Sequence, residues 1–106
     1  MAEYVQIASA DQIKEGTVQS FDLGGTEIAI ARCEGEIYAF SNICTHALAY
    51  LSEGDLDVDD CTIECPLHGA RFDITTGRVR AFPATVPLKT YGVRIVDGQV
   101  EIAIDS

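Results

Sequence analysis

At 106 residues, with 47% hydrophobic and 23% charged side chains, the chain has the size and composition of one folded domain, not of a disordered or multidomain protein. Seventeen acidic residues against seven basic ones give a net charge of -10, which argues against nucleic acid and anionic membrane as partners, since both reward lysine and arginine. No apolar run is long enough to span a bilayer, and Met1-Ala2-Glu3-Tyr4-Val5-Gln6 lacks the basic start and apolar centre of an export signal, so a cytoplasmic location is expected.

The predicted elements are nearly all strands. Tyr4-Val5-Gln6-Ile7-Ala8 alternates large apolar with small or polar residues, as a half-buried first strand does. Residues 9–16 carry N-cap candidates and end in Gly16, so they hold at most a turn or two of helix. Strands at 17–23 and 26–32 flank Gly24-Gly25, a dipeptide that supplies the positive φ of a tight hairpin. Glu34-Gly35 turns the chain into Glu36-Ile37-Tyr38-Ala39-Phe40, and Asn42-Ile43 leads into a first short box, Cys44-Thr45-His46.

Beyond that box, Ser52-Glu53-Gly54-Asp55 is turn-like and Asp57-Val58-Asp59-Asp60 is acidic. Thr62-Ile63-Glu64 is predicted as a short strand delivering a second box, Cys65-Pro66-Leu67-His68-Gly69. Arg71-Phe72-Asp73-Ile74 and a turn at 75–78 follow, and then 81–87, whose two prolines suit an ordered loop better than a ladder strand. The clearest hairpin closes the chain, with 91–96 and 99–104 alternating around Asp97-Gly98. Many short strands separated by turns predict an all-β antiparallel sandwich or barrel, one domain over residues 1–106, with the two boxes as loops at one end.

Both histidines and two of the four cysteines fall in these boxes, with 18 residues between His46 and Cys65. Thiolate plus imidazole is a ligand set for zinc, copper or iron–sulfur chemistry, not for magnesium or calcium. Zinc fingers usually group cysteines with cysteines, whereas here each loop contributes one thiol and one imidazole. A dinuclear centre would let two facing loops share two irons; a mononuclear zinc staple stays open on this pattern alone. Cys33 and Cys61 stand outside the boxes and read as small core or surface residues, a disulfide being the weaker expectation in a reducing cytosol.

Cys44-Thr45-His46 and Cys65-Pro66-Leu67-His68-Gly69-Ala70-Arg71-Phe72 resemble the two boxes of a Rieske [2Fe–2S] domain. The resemblance extends to Tyr38-Ala39-Phe40, Leu51-Ser52-Glu53-Gly54, Thr76-Gly77, Val86-Pro87-Leu88-Lys89 and Asp97-Gly98-Gln99-Val100, with a slight surplus of residues around Asp59-Asp60-Cys61. It implies a Rieske-type sandwich whose cluster-binding portion covers about 42–84, carrying one [2Fe–2S] cluster. Cys44 and Cys65 would hold the inner iron, and His46 and His68 the outer one. Respiratory members have an extra, disulfide-bonded cysteine in each box, at positions that are Ala49 and Leu67 here, and hydroxyls where this chain has Ala70 and Phe72. Fewer donors to the cluster sulfurs imply a potential near the lower end of the Rieske range of about -150 to +300 mV.

Those features resemble the ferredoxins of bacterial aromatic ring-hydroxylating dioxygenase systems. The resemblance implies a one-electron carrier, monomeric when free and with no catalysis of its own, between a flavoprotein NAD(P)H-dependent reductase and a terminal oxygenase. Ala47, Leu48, Leu67 and Pro83 would rim the docking face, and Glu53, Asp55, Asp57, Asp59 and Asp60 would steer a basic partner. The alternatives are the small subunit of a nitrite-reductase-like oxidoreductase and, from another class, a zinc-stapled interaction module.

Overall fold

The computed structural model describes residues 2–45, 49–67, 69–82 and 86–105. In chain order the strands are β1 (Ala2–Ser9), β2 (Val18–Leu23), β3 (Thr26–Cys33), β4 (Glu36–Ser41), β5 (Asp55–Asp57), β6 (Thr62–Glu64), β7 (Arg71–Asp73), β8 (Val79–Ala81), β9 (Thr90–Tyr91), β10 (Val93–Val96) and β11 (Gln99–Asp105). They form three sheets with antiparallel strand pairs, ordered β1-β11-β10, β2-β3-β4-β9 and β5-β6-β7-β8. Single 3-10 turns follow β1 and precede β5; in the first, Ser9 and Gln12 make a reciprocal capping box. Among the described residues no helix is long and apolar enough to cross a membrane.

The second sheet is the middle layer, and the composition of β3 explains why. Ile28 and Ile30 pack with Ala8, Ile13, Val100 and Ile102 towards the first sheet. Ala29, Ala31 and Cys33 face the other way, against Ile63, Phe72 and Ile74 of the third. The period-2 pleat thus buries both faces of one strand, large residues on one side and small ones on the other. Burying a Phe or Ile side chain contributes about 1.5–3 kcal/mol, so Phe40, Ile63 and Phe72, all fully buried, hold the third sheet to the middle layer.

The expected hairpins form at Gly24-Gly25, both with positive φ, and at Asp97-Gly98. Three expectations need correction. The terminal hairpin starts at Val93, because Tyr91 instead pairs with Ala39 of β4 and Gly92 carries the chain between sheets. Asp55, expected in a turn, opens strand β5, and Ala81, expected in a loop, ends strand β8, their short ladders completed by neighbours across the third sheet. Cys33 and Cys61 form a disulfide, with Cα atoms 6.0 Å apart, where a pair of plain thiols was expected. They come together because β3 ends opposite the turn at 58–61.

Asp73 holds the turn after β7. Its Oδ1 accepts from the Thr75 N–H at 2.8 Å and hydroxyl at 2.6 Å, and its Oδ2 meets Arg80 Nη1 at 3.3 Å. Burial pushes its pKa up, but the Thr75 and Thr76 donors and Arg80 outweigh it and leave the carboxyl below its ordinary value. A depressed folded-state pKa contributes stability that is full above the unfolded value, about 4, and is lost as pH falls through the folded value. Asp73→Ala should therefore lower the urea midpoint at pH 7, by about 1 kcal/mol after solvent screening, and the gap should narrow in acid. A gap that stays constant from pH 7 to about pH 3 would refute the electrostatic part of this account.

Candidate metal centre

Two loops of matching construction carry the two boxes. In the first, β4 runs into Ile43, which bridges Tyr50 antiparallel, and the Cys44 N–H donates to the Ala49 carbonyl at 3.0 Å. In the second, Glu64 pairs with Arg71, and the Cys65 N–H donates to the Ala70 carbonyl at 2.7 Å. Each loop is thus closed at its base by the cysteine's own amide and the alanine five positions on. Gly69, at φ 75, also donates to the Cys65 carbonyl, a turn that a side chain would strain.

Other residues fix where the loops stand. Asn42, buried, accepts from the Ser52 N–H through its side chain at 2.8 Å and from the Leu51 N–H through its carbonyl at 2.7 Å. Thr45 donates to the Val86 carbonyl at 2.7 Å, tying the first box to the proline-flanked loop. Arg71 braces the base of the second box, reaching Asp57 at 3.1 Å and the Thr62 hydroxyl at 3.0 Å. The Asp59 N–H, chiefly, with Arg71 holds the Asp57 carboxyl below its ordinary pKa against the effect of burial. Two of the acidic residues expected to steer a partner therefore serve local structure first: Asp57 in this pair, and Asp60 as acceptor for Thr62.

Cys44 and Cys65 are both buried, lie outside the disulfide and belong to one apolar core with Phe40, Leu51, Ile63, Ala70 and Phe72. Of the four expected ligands, the structure thus gathers the two thiols into one core; His46 and His68 lie outside the described residues, as do Ala47, Leu48 and Pro83 of the expected rim. Ala70 and Phe72 are fully buried in the same core as the thiols, and neither has a hydroxyl to offer them. The donor set fits a cluster bound half by thiolate: two sulfurs in a dry core, each at the base of its own loop with a histidine further along it.

Leu67 is exposed, as a docking rim requires, and Phe82, at 82%, and Val86, at 56%, are exposed apolar side chains as well. Neither Phe82 nor Val86 stood out in the sequence; the signal was the position of two apolar residues beside prolines.

The family model for the Rieske [2Fe-2S] domain matches residues 3–92. The ferredoxin component of the naphthalene 1,2-dioxygenase/salicylate 5-hydroxylase systems of Ralstonia sp is 42% identical over 102 residues, 96% of each chain. Among solved structures, the chain resembles the ferredoxin of carbazole 1,9a-dioxygenase from Nocardioides aromaticivorans IC177, with TM-score 0.89, 38% identity and coverage of 93% of this chain and 95% of that one. A chain in the complex of reduced oxygenase and oxidized ferredoxin of carbazole 1,9a-dioxygenase matches with TM-score 0.86 and 37% identity, over 94% of this chain and 92% of that one.

Proposed function

The chain belongs to the Rieske [2Fe–2S] domain family, and on that premise we propose that it is the ferredoxin of an aromatic ring-hydroxylating dioxygenase system, taking single electrons from a flavoprotein NAD(P)H-dependent reductase and passing them to the Rieske centre of a terminal oxygenase. It carries one Rieske-type [2Fe–2S] cluster and is an electron-transfer component, not a catalyst. The observation that carries this reading is the pair of buried thiols, Cys44 and Cys65, at the bases of two identically closed loops.

In this reading residues 1–106 are one domain, with Cys44 and Cys65 as ligands to the inner iron and His46 and His68 as ligands to the outer iron. Bound there, the cluster supplies reversible storage of one electron. The chain does the rest. Phe40, Leu51 and Phe72 exclude water from the thiol side, and the paired amide closures hold each cysteine at the base of its loop. Leu67, Phe82 and Val86 offer the small apolar contact that suits a brief redox encounter, while Glu53, Asp55 and Asp59 add a negative field around it. Ala70 and Phe72, being apolar, themselves supply no hydroxyl to the cluster, which favours a low potential. A partner that draws on NAD(P)H supports a cytoplasmic location.

The test is anaerobic purification followed by absorbance and EPR with and without dithionite, then electron delivery from a flavoprotein reductase to a dioxygenase. A Rieske-type signal on reduction and a midpoint below about 0 mV at neutral pH are expected. A colourless or EPR-silent reduced protein would end the cluster reading, and a clearly positive midpoint the low-potential one.

A further inference from the structure

Cys33 and Cys61 are the two cysteines that the cluster does not use. Cys33 ends β3, in the middle sheet, at 0% exposure; Cys61 enters β6, in the third sheet, at 7%. Their bond joins the two layers across 28 positions. From Cys61 the chain passes through Thr62 and Ile63, both buried, and Glu64 to Cys65, so one short strand links the disulfide to a proposed ligand. Cys61 sits at φ 53, uncommon for a residue with a side chain, and its carbonyl accepts from the Ile74 N–H at 3.0 Å.

We infer that Cys33–Cys61 is a thiol–disulfide site that sets how long the protein keeps its cluster, by clamping the cluster-bearing sheet to the middle sheet. The inference rests on the cluster reading above. With the bond closed, β6 cannot part from β3 at its Cys61 end, and the Cys65 loop keeps its base. With it open, the Val58 carbonyl, 3.4 Å from Cys33 Sγ, offers an acceptor for the restored thiol, so the reduced form is also accommodated. Local opening of the third sheet then costs less, and opening is the step that exposes ligands to water.

The chemistry is exchange with a small-molecule disulfide. One cysteine thiolate attacks a sulfur of the small disulfide, forming a mixed disulfide and releasing one thiol. The second cysteine displaces the other half, so that two cysteine S–H bonds and one small S–S bond become one protein S–S bond and two small-molecule thiols. Reduction by a dithiol runs this in reverse. Because both sulfurs are buried, exchange needs the seam between the sheets to open, and this shields the closed bond in reducing surroundings.

The holoprotein is first alkylated with iodoacetamide in denaturant without reductant and mapped by mass spectrometry. A linked Cys33–Cys61 peptide is expected, and alkylation of both residues overturns the inference. The Cys33→Ala/Cys61→Ala variant is then compared with wild type by visible absorbance decay in the presence of an iron chelator. Its Rieske spectrum and midpoint should match wild type, while its cluster should be lost at least about tenfold faster. Decay within about twofold of wild type overturns the clamp. If the variant does not fold, wild type reduced by a phosphine in sub-denaturing urea should show the same faster decay against an unreduced control, and equal decay overturns the clamp. A colourless wild type instead overturns the cluster reading itself, which separates the two failures.

Discussion

Replacing Cys65 with serine should give a colourless protein with no Rieske EPR signal, still folded by circular dichroism. The serine oxygen is a hard donor whose hydroxyl does not ionise near neutral pH, so it cannot replace a thiolate on iron. Cys65 is 1% exposed, and burying a hydroxyl there costs about 1–3 kcal/mol, less than the stability of an ordinary domain. The hydrogen bond from its backbone N–H to the Ala70 carbonyl survives the change, as does the Cys33–Cys61 disulfide. Loss of the cluster would then report the ligand and not the fold. An unaltered spectrum in Cys65→Ser would remove Cys65 from the ligand set.

Gly54→Ala should be a severely damaging single-methyl addition beside the second box, lowering stability by about 3 kcal/mol or more in urea titration. Gly54 has φ -90 and ψ -168, which alanine can adopt, so the obstacle is space. A methyl group there would collide with the Glu64 carbonyl, a backbone atom of β6 one residue before Cys65. The backbone cannot rotate aside as a side chain could, so β5 and β6 would have to separate at Asp55–Glu64. Gly25→Asn is the control. Gly25 has φ 93 with nothing within 4 Å of an added Cβ, and asparagine tolerates positive φ, so it should cost less than about 1 kcal/mol. Equal losses for the two variants would refute the steric account.

Much of this was legible in the chain. The boxes stood out because ligand chemistry demands particular residues at particular spacings, and Gly24-Gly25 and Asp97-Gly98 because tight hairpins demand positive φ. What escaped was decided by tertiary pairing. Tyr91 continues the alternation of 91–96, yet pairs with β4, a choice that only the position of β4 determines. Asp55 reads as the end of a turn and Asp57 as the start of an acidic run until β6 lies beside them. Cys33 and Cys61 carry no local mark of their pairing, since the contact depends on how two sheets stack. The charge of residues 53–60 was visible, but not that Asp57 and Asp60 are engaged with Arg71 and Thr62.

The matched closure of the two boxes has a consequence for speed. An electron hops in far less time than nuclei move, so each transfer waits for the donor's surroundings to reach a geometry shared by both oxidation states. Soft loops would make that rearrangement large. Here the amides of Cys44 and Cys65 are fastened to Ala49 and Ala70, and Asn42 and Thr45 fasten the first loop to its neighbours. Such fastening limits how far the two cysteine backbones can shift between oxidation states, which lowers their share of the reorganisation energy and favours transfer within a brief encounter.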